Sequence, residues 1–164
     1  MKRITIGTIG LFVCFLTLTG FKKRNNDVNS YKCMIQMINY KGQGAYIVVS
    51  LIDPNGDYEE TLYVHGKDLE WYLDLRKWWD TFYGKKRNNI DAISGETIGG
   101  GERAISVLKI PTDKIDAGYS IRFETAVEDK KYYESDLQFE LTSDAIKSSF
   151  EGIGYIRYVR MLPQ

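Results

Sequence analysis

The chain is poor in the residues that build the commonest catalytic and metal sites. It has two cysteines, Cys14 and Cys33, and a single histidine, His65. Neither a histidine-based triad nor a His/Cys metal cluster can be assembled from that stock. An excess of either charge is also missing, with 22 basic against 22 acidic side chains. Without a basic excess there is no electrostatic footprint for nucleic acid, which is excluded as a partner. No internal repeat, low-complexity tract or strand–helix alternation of the doubly wound kind occurs. Carboxylates are plentiful, but no pair has a placement that spacing alone fixes, so a glycosidase-like pair has no support. The glycines of "GETIGGGE" lack the strand, Gly-rich loop and helix of a phosphate-binding fingerprint.

One long apolar run is present, and it lies at the start. "MKR" forms a short positive region, "ITIGTIGLFVCFLTLTGF" carries no charge, and "KKRNNDVNS" resumes as polar chain. The pattern is that of a secretory signal peptide over residues 1–21, followed by a polar linker over 22–30. The run is also nearly long enough to span a bilayer, so an uncleaved anchor is the alternative. A lipid anchor is disfavoured, because Cys14 follows Leu-Phe-Val where a small residue is needed. The protein is therefore expected to be exported, either to the periplasm or to the outer face of the cytoplasmic membrane. Loss of Lys2 and Arg3 with the leader leaves 20 basic side chains against 22 acidic, a net charge of −2. Cys33 is then the one remaining cysteine. No internal disulfide can form, and the domain must be stable from its core. The simplest role for Cys33 is a small apolar residue on an early strand, rather than a thiol that pairs with another chain.

Residues 31–164 suit one domain. Across the whole chain, twelve tyrosines, seven phenylalanines and three tryptophans make a composition rich in aromatics, which favours strands. "YKCMIQMINY" places Cys33, Ile35 and Met37 on one face and Met34, Gln36 and Ile38 on the other. "GAYIVVSLID" is apolar on both faces, as a central strand is. "PNGD" predicts a tight hairpin with positive φ at Asn55 and Gly56, and "YEETLYVH" is the returning strand. In "KDLEWYLDLRKWWDTFYGKK" the period changes. Leu75, Trp78, Trp79 and Phe82 fall at helical spacing, with Leu69, Tyr72 and Leu73 one to two turns earlier. Asp68 is the expected N-cap, and Gly84, Lys85 and Lys86 the end. "RAISVLKIP", "AGYSIRFETAVE", "SDLQFELT" and "GIGYIRYVRML" read as four more strands. About seven strands and one inserted helix predict a mainly β, two-sheet, immunoglobulin-like sandwich.

Several residues invite a chemical role. His65 ends a strand, where a solvated or packing histidine is expected. Trp78 and Trp79 offer either a stacking platform for a ring-shaped ligand or core packing against a sheet, and packing is the expectation. Lys85, Lys86 and Arg87 form either a solvated helix end or a phosphate-attracting cluster.

The segment Asp91-Ala-Ile-Ser94-Gly95-Glu96-Thr97 resembles the flavinylation motif of FMN-carrying proteins. These include FMN-binding domains and subunits of sodium-pumping NADH:quinone oxidoreductase. The resemblance implies that Thr97 receives FMN as a phosphoester from an exported, magnesium-dependent flavin transferase that uses FAD. Thr97 has the hydroxyl that can be esterified. Gly95 lets backbone approach a phosphate and adopt positive φ, and Ser94 and Asp91 are expected to hold the turn. Gly99 to Gly101 are expected to leave the space beside Thr97 uncrowded. Glu96 stands where the motif carries alanine, placing a negative charge beside the phosphodiester, a repulsion on the order of 1 kcal/mol at about 5 Å in water.

From about Gly44 to Leu141 the chain also resembles the predicted periplasmic family called domain of unknown function 2271. The landmarks are "YIVVSLIDPNGDYEETLYVHGK", "YLDLRKWW", "DAISGET" and "AGYSIRFETAVED", with His65 where the family usually has tryptophan. This resemblance implies extracytosolic electron transfer with a membrane or periplasmic redox partner. Trp78, Trp79 or Tyr83 would stack on the flavin ring, and Lys85 or Arg87 would contact phosphate. The contrasting expectation is a cofactor-free binding module whose loops contact a partner, with "SGET" an ordinary turn.

Overall fold

A computed structural model describes residues 27–81 and 93–164 in full and the backbone of residues 82–85. The leader, the residues up to 26 and the stretch 86–92, which holds Arg87 and Asp91, lie outside the described residues.

Two antiparallel-rich sheets face each other, and the two-sheet sandwich expected from the strand spacing is what forms. Seven strands have seven or more residues. They are β1 (Val28–Met37), β2 (Tyr46–Ile52), β3 (Tyr58–His65), β5 (Arg103–Pro111), β6 (Ser120–Ala126), β7 (Tyr133–Glu140) and β9 (Ile156–Pro163). Two-residue strands β4 (Ser94–Gly95) and β8 (Ser149–Phe150) complete the edges. The sheet orders are β5-β1-β9-β8 and β4-β3-β2-β6-β7.

Period-two patterning sets which side chains meet. Cys33, Ile35 and Met37 of β1 bury against Ile47, Val49 and Leu51 of β2, with Ile121, Phe123, Leu137 and Phe139 beside them. The other face of β2 is apolar because a further layer covers it. Val48, Val64 and Ala126 pack under Tyr72, Leu75 and Trp78, which occupy every third position of the inserted segment.

That segment is not one helix. Asp68 is a cap as expected and accepts from the Glu70 amide at 3.2 Å. The cap opens a 3-10 turn over Leu69–Asp74, and α1 (Arg76–Lys85) begins only after Leu75. The i, i+3 spacing of Tyr72, Leu75 and Trp78 places all three on the sheet, while Leu69 and Leu73 remain 60% and 57% exposed. The hairpin differs in the same local way. Only Gly56 has positive φ, at 89°. The Asp53 amide bonds the Asp57 carbonyl at 2.8 Å, and the Gly56 amide bonds the Asp53 carbonyl at 3.0 Å. The longer loop needs one left-handed residue rather than two. β1 also begins within the expected linker, since Val28, Asn29 and Ser30 pair with Pro111, Ile110 and Lys109. Backbone pairing is indifferent to the polarity of those side chains.

Candidate functional site

The segment Ser94–Ile98 runs along the edge of the five-stranded sheet. Ser94 and Gly95 pair in parallel with Val64 and His65, and the Gly66 amide bonds the Gly95 carbonyl at 2.7 Å. Ile98 is buried and exchanges two backbone hydrogen bonds with Ala45, at 2.7 and 3.2 Å. Glu96 and Thr97 are therefore held between two anchored points. Their side chains go to different places: Glu96 is exposed and pairs with Lys67, whereas Thr97 lines a cavity of about 310 Å³.

Gly44 makes the room for Thr97. A Cβ on Gly44 would lie 2.4 Å from the Thr97 Oγ1 and 2.7 Å from its Cβ. Tyr46 and Trp71 supply aromatic walls, Ala126 a further apolar one, and Gln43, Asp74 and Glu128 the polar groups. The Tyr46 ring lies over Gly66, where a Cβ would come within 2.1 Å of it and where φ is +118°. Tyr72 meets Tyr46 edge-on at 6.2 Å and donates its hydroxyl to the Gly66 carbonyl at 2.8 Å. Burial pushes the Tyr46 phenol above its usual range. A smaller cavity of about 200 Å³ shares Asp74 and Ala126 and adds Arg76, Lys130 and Tyr132. The result is a two-part groove, acidic beside Thr97 and mixed in charge farther along.

Some expected roles change and others hold. Gly95 is not in a positive-φ conformation; it is glycine because a Cβ would lie 2.7 Å from the Tyr63 hydroxyl. Ser94 is an edge-strand residue rather than a turn residue. Gly99 to Gly101 do not clear the space beside Thr97. They form a tight turn in which a Cβ on Gly100 would reach 2.0 Å from the Tyr40 carbonyl oxygen, and Gly101 has φ of +77°. Trp78 packs in the core, as its spacing predicts, and is not a stacking platform. It is fully buried, and its indole N–H donates to the Thr61 hydroxyl at 2.7 Å. Trp79 packs against the same cluster and does not line the cavity. His65 is packed rather than solvated, 3% exposed, with its Nδ1 at 3.3 Å from the Glu96 carbonyl oxygen. Cys33 is buried, and burial pushes its thiol up to about 12, as an inert core residue requires. Asp91, Arg87 and the side chains of Tyr83 and Lys85 fall outside the described residues.

Tyr46, Trp71 and Gly44 were missed from sequence. A signal for Trp71 exists: it stands off the stripe Tyr72, Leu75, Trp78 and is only half-buried. A tryptophan beside an amphipathic stripe, rather than on it, is available to a ligand. For the glycine, Gly44→Ala is expected to push the Thr97 side chain aside. The cost is about 1–3 kcal/mol of stability, read from urea midpoints; an unchanged midpoint would show that Thr97 moves freely.

Among the described residues no cluster of three His, Cys, Asp or Glu side chains is placed to hold a metal, and no helix is long and apolar enough to cross a membrane. No curated protein and no solved structure matches the chain. A family described as "Predicted periplasmic protein (DUF2271)" matches residues 28–158, in agreement with the export expected from the N-terminal run. The match takes in the whole of Ser94–Ile98 and every wall of the cavity, and the chain belongs to this family of predicted periplasmic proteins.

Proposed function

We propose that the protein is an exported flavin carrier, with FMN joined to Thr97 by a phosphoester, working in the periplasm or at the outer face of the cytoplasmic membrane. An exported flavin transferase is the loading partner. In that loading, the Thr97 oxygen bonds to the FMN phosphorus of FAD, the pyrophosphate linkage breaks, and AMP leaves with release of the hydroxyl proton. Bound FMN would supply reversible electron transfer with a membrane or periplasmic redox partner, while the protein sets its position and surroundings.

The observation that supports the reading is the location of Thr97 in the wall of a cavity that also presents Tyr46 and Trp71. Its volume of about 310 Å³ is at the lower end of ligand sites, roughly 300–1,000 Å³, enough for part of a flavin. Tyr46 and Trp71 are suited to the ring. Asp74, Glu128 and Gln43 can accept or donate hydrogen bonds to the ribityl hydroxyls and ring edge. The charge of Glu96 is met by Lys67 on the exposed side, so the departure from alanine sets a neutralised pair, rather than a lone anion, next to the esterified residue.

The test is intact mass and in-gel flavin fluorescence of protein exported together with a flavin transferase. Wild type is expected to gain the mass of one FMN less one water. Thr97→Val, which keeps the shape and removes the hydroxyl, is expected to gain nothing. Wild type left unmodified in cells that flavinylate a known substrate would overturn the proposal and leave a cofactor-free binding module.

A further inference from the structure

The outer faces of the two sheets are treated differently. That of the five-stranded sheet is covered by the 3-10 turn and α1, whereas among the described residues only the short turn Ala145–Lys147 reaches that of the four-stranded sheet, where Lys147 lines a cavity with Met34, Tyr158 and Arg160. The pairing register identifies its outward side chains. Ser30 is opposite Lys109, Lys32 is opposite Val107 and Leu162, Met34 opposite Ile105 and Arg160, and Gln36 opposite Arg103 and Tyr158. None of these positions is acidic. Lys32, Arg103, Lys109 and Arg160 are all exposed, in a chain whose basic and acidic side chains are equal in number. Arg103 bonds Gln36 at 3.0 Å and the Tyr158 hydroxyl at 3.2 Å rather than a carboxylate. The ion pairs among the described residues lie elsewhere. Between the cations, Ile105, Val107 and Leu162 are 63%, 40% and 42% exposed.

We infer that this face docks on an anionic phospholipid bilayer, an inference that rests on the export reading above. Cations with long apolar stems meet phosphate headgroups, while aliphatic and aromatic side chains between them enter the interface. A second copy of the chain is a poor occupant, because four cations would face four cations. A bilayer is favoured over an acidic protein by the rest of the chain. Lys22, Lys23 and Arg24, which stay with the domain whether or not the leader is cleaved, continue the basic character of this face up to its middle strand, and the exposed Ile105, Val107 and Leu162 between the cations suit a bilayer interface better than an acidic protein surface. Docked in this way, the Thr97 cavity, on the covered side of the opposite sheet, is turned away from the lipid.

The test uses the full chain in flotation with vesicles of phosphatidylcholine alone or with roughly one third phosphatidylglycerol. Lys32→Glu/Arg160→Glu is compared with Lys77→Glu/Lys131→Glu, which makes the same change in net charge at positions outside this face, both checked by circular dichroism. Wild type and this control variant are expected to prefer the anionic vesicles, with a preference that weakens in salt. The sheet-face variant is expected to lose at least about tenfold of that preference. Equal preference in the two double variants would overturn the inference, assigning the effect to net charge or to Lys22–Arg24. Absence of any preference in wild type would also overturn it. Retention on immobilised polyglutamate, lost in the sheet-face variant, would then assign the face to an acidic protein. Flavin loading is not read here, so this result and that for Thr97 stand or fall separately.

Discussion

Glu124→Gln is expected to lower the unfolding free energy by about 3–5 kcal/mol, measured from urea denaturation at neutral pH. Glu124 is fully buried beneath α1. Its carboxylate accepts from the Trp78 amide at 3.1 Å, the Arg122 guanidinium at 2.7 Å and the Tyr132 hydroxyl at 2.6 Å. Tyr132 in turn accepts from the Lys77 amide at 3.0 Å. Two of the amides that a helix leaves unpaired in its first turn are thus satisfied from the sheet rather than by a cap in the adjacent sequence. Glutamine replaces one acceptor oxygen with an N–H₂ group, which then faces either the Arg122 guanidinium or the Trp78 amide and Tyr132 hydroxyl, and it leaves the Arg122 charge buried without its counterion. Burial pushes the Glu124 carboxyl up from 4.5, against the opposing pull of Tyr132, Arg122 and the Trp78 amide. Between 4.5 and that raised value the folded state keeps a proton that the unfolded chain has released, so this group makes stability fall as pH rises. A loss below about 1 kcal/mol in the glutamine variant would mean that the carboxyl is already neutral. The same network positions Trp71 and Asp74, which belong to the turn leading into α1.

His65 is expected to produce the opposite slope. Burial lowers its pKa from 6.5 to about 4, while the Glu96 carbonyl partly opposes the shift. Its Nδ1–H donates to that carbonyl, and its Nε2 is buried without a partner. Protonation would place a second N–H where nothing accepts it. Between 6.5 and about 4 the unfolded chain takes up a proton that the folded state refuses. Stability from this group is therefore complete above 6.5 and is lost as pH falls to about 4, by about 3 kcal/mol in total. Urea midpoints of wild type and His65→Phe at pH values above and within that window check the sign. The difference between the two should change by about that amount, because Glu124 contributes equally to both. A difference independent of pH would mean that the imidazole is hydrated in the native state. Since His65 holds the Glu96 carbonyl, next to Thr97, acid is also expected to loosen the edge segment first.

The candidate site was half legible. Ser94, Gly95 and Thr97 stand out as a spaced hydroxyl–glycine–hydroxyl set, and the edge segment they form does position Thr97 in a cavity. The reasons for the glycines were legible only where φ is decisive, as at Gly56. Gly44, Gly66, Gly95 and Gly100 are glycines because another part of the chain arrives within 3 Å of the missing Cβ. No local pattern reports such an approach. Trp78 was legible as a core residue from its spacing. Trp71 was hidden because one long helix was expected where the chain forms a 3-10 turn and then α1, which shifts the angular position of each side chain before Leu75.

By itself the sequence determined the seven long strands, the sandwich, the division of β1 into two faces, the apolar character of both faces of β2, and the family. Alternation and turn chemistry act over a few residues, and the hydrophobic effect reads them directly. Tertiary structure alone decided that β6 buries Arg122 and Glu124 on its polar face, because the covering layer comes from residues about 46 positions away in the chain. It also decided that Lys67 meets Glu96, that Gly44 admits Thr97, and that one sheet face keeps its cations uncovered. Each of these depends on which segments become neighbours after the layers have packed. That choice is made by the total apolar area buried, not by the residues on either side of a motif.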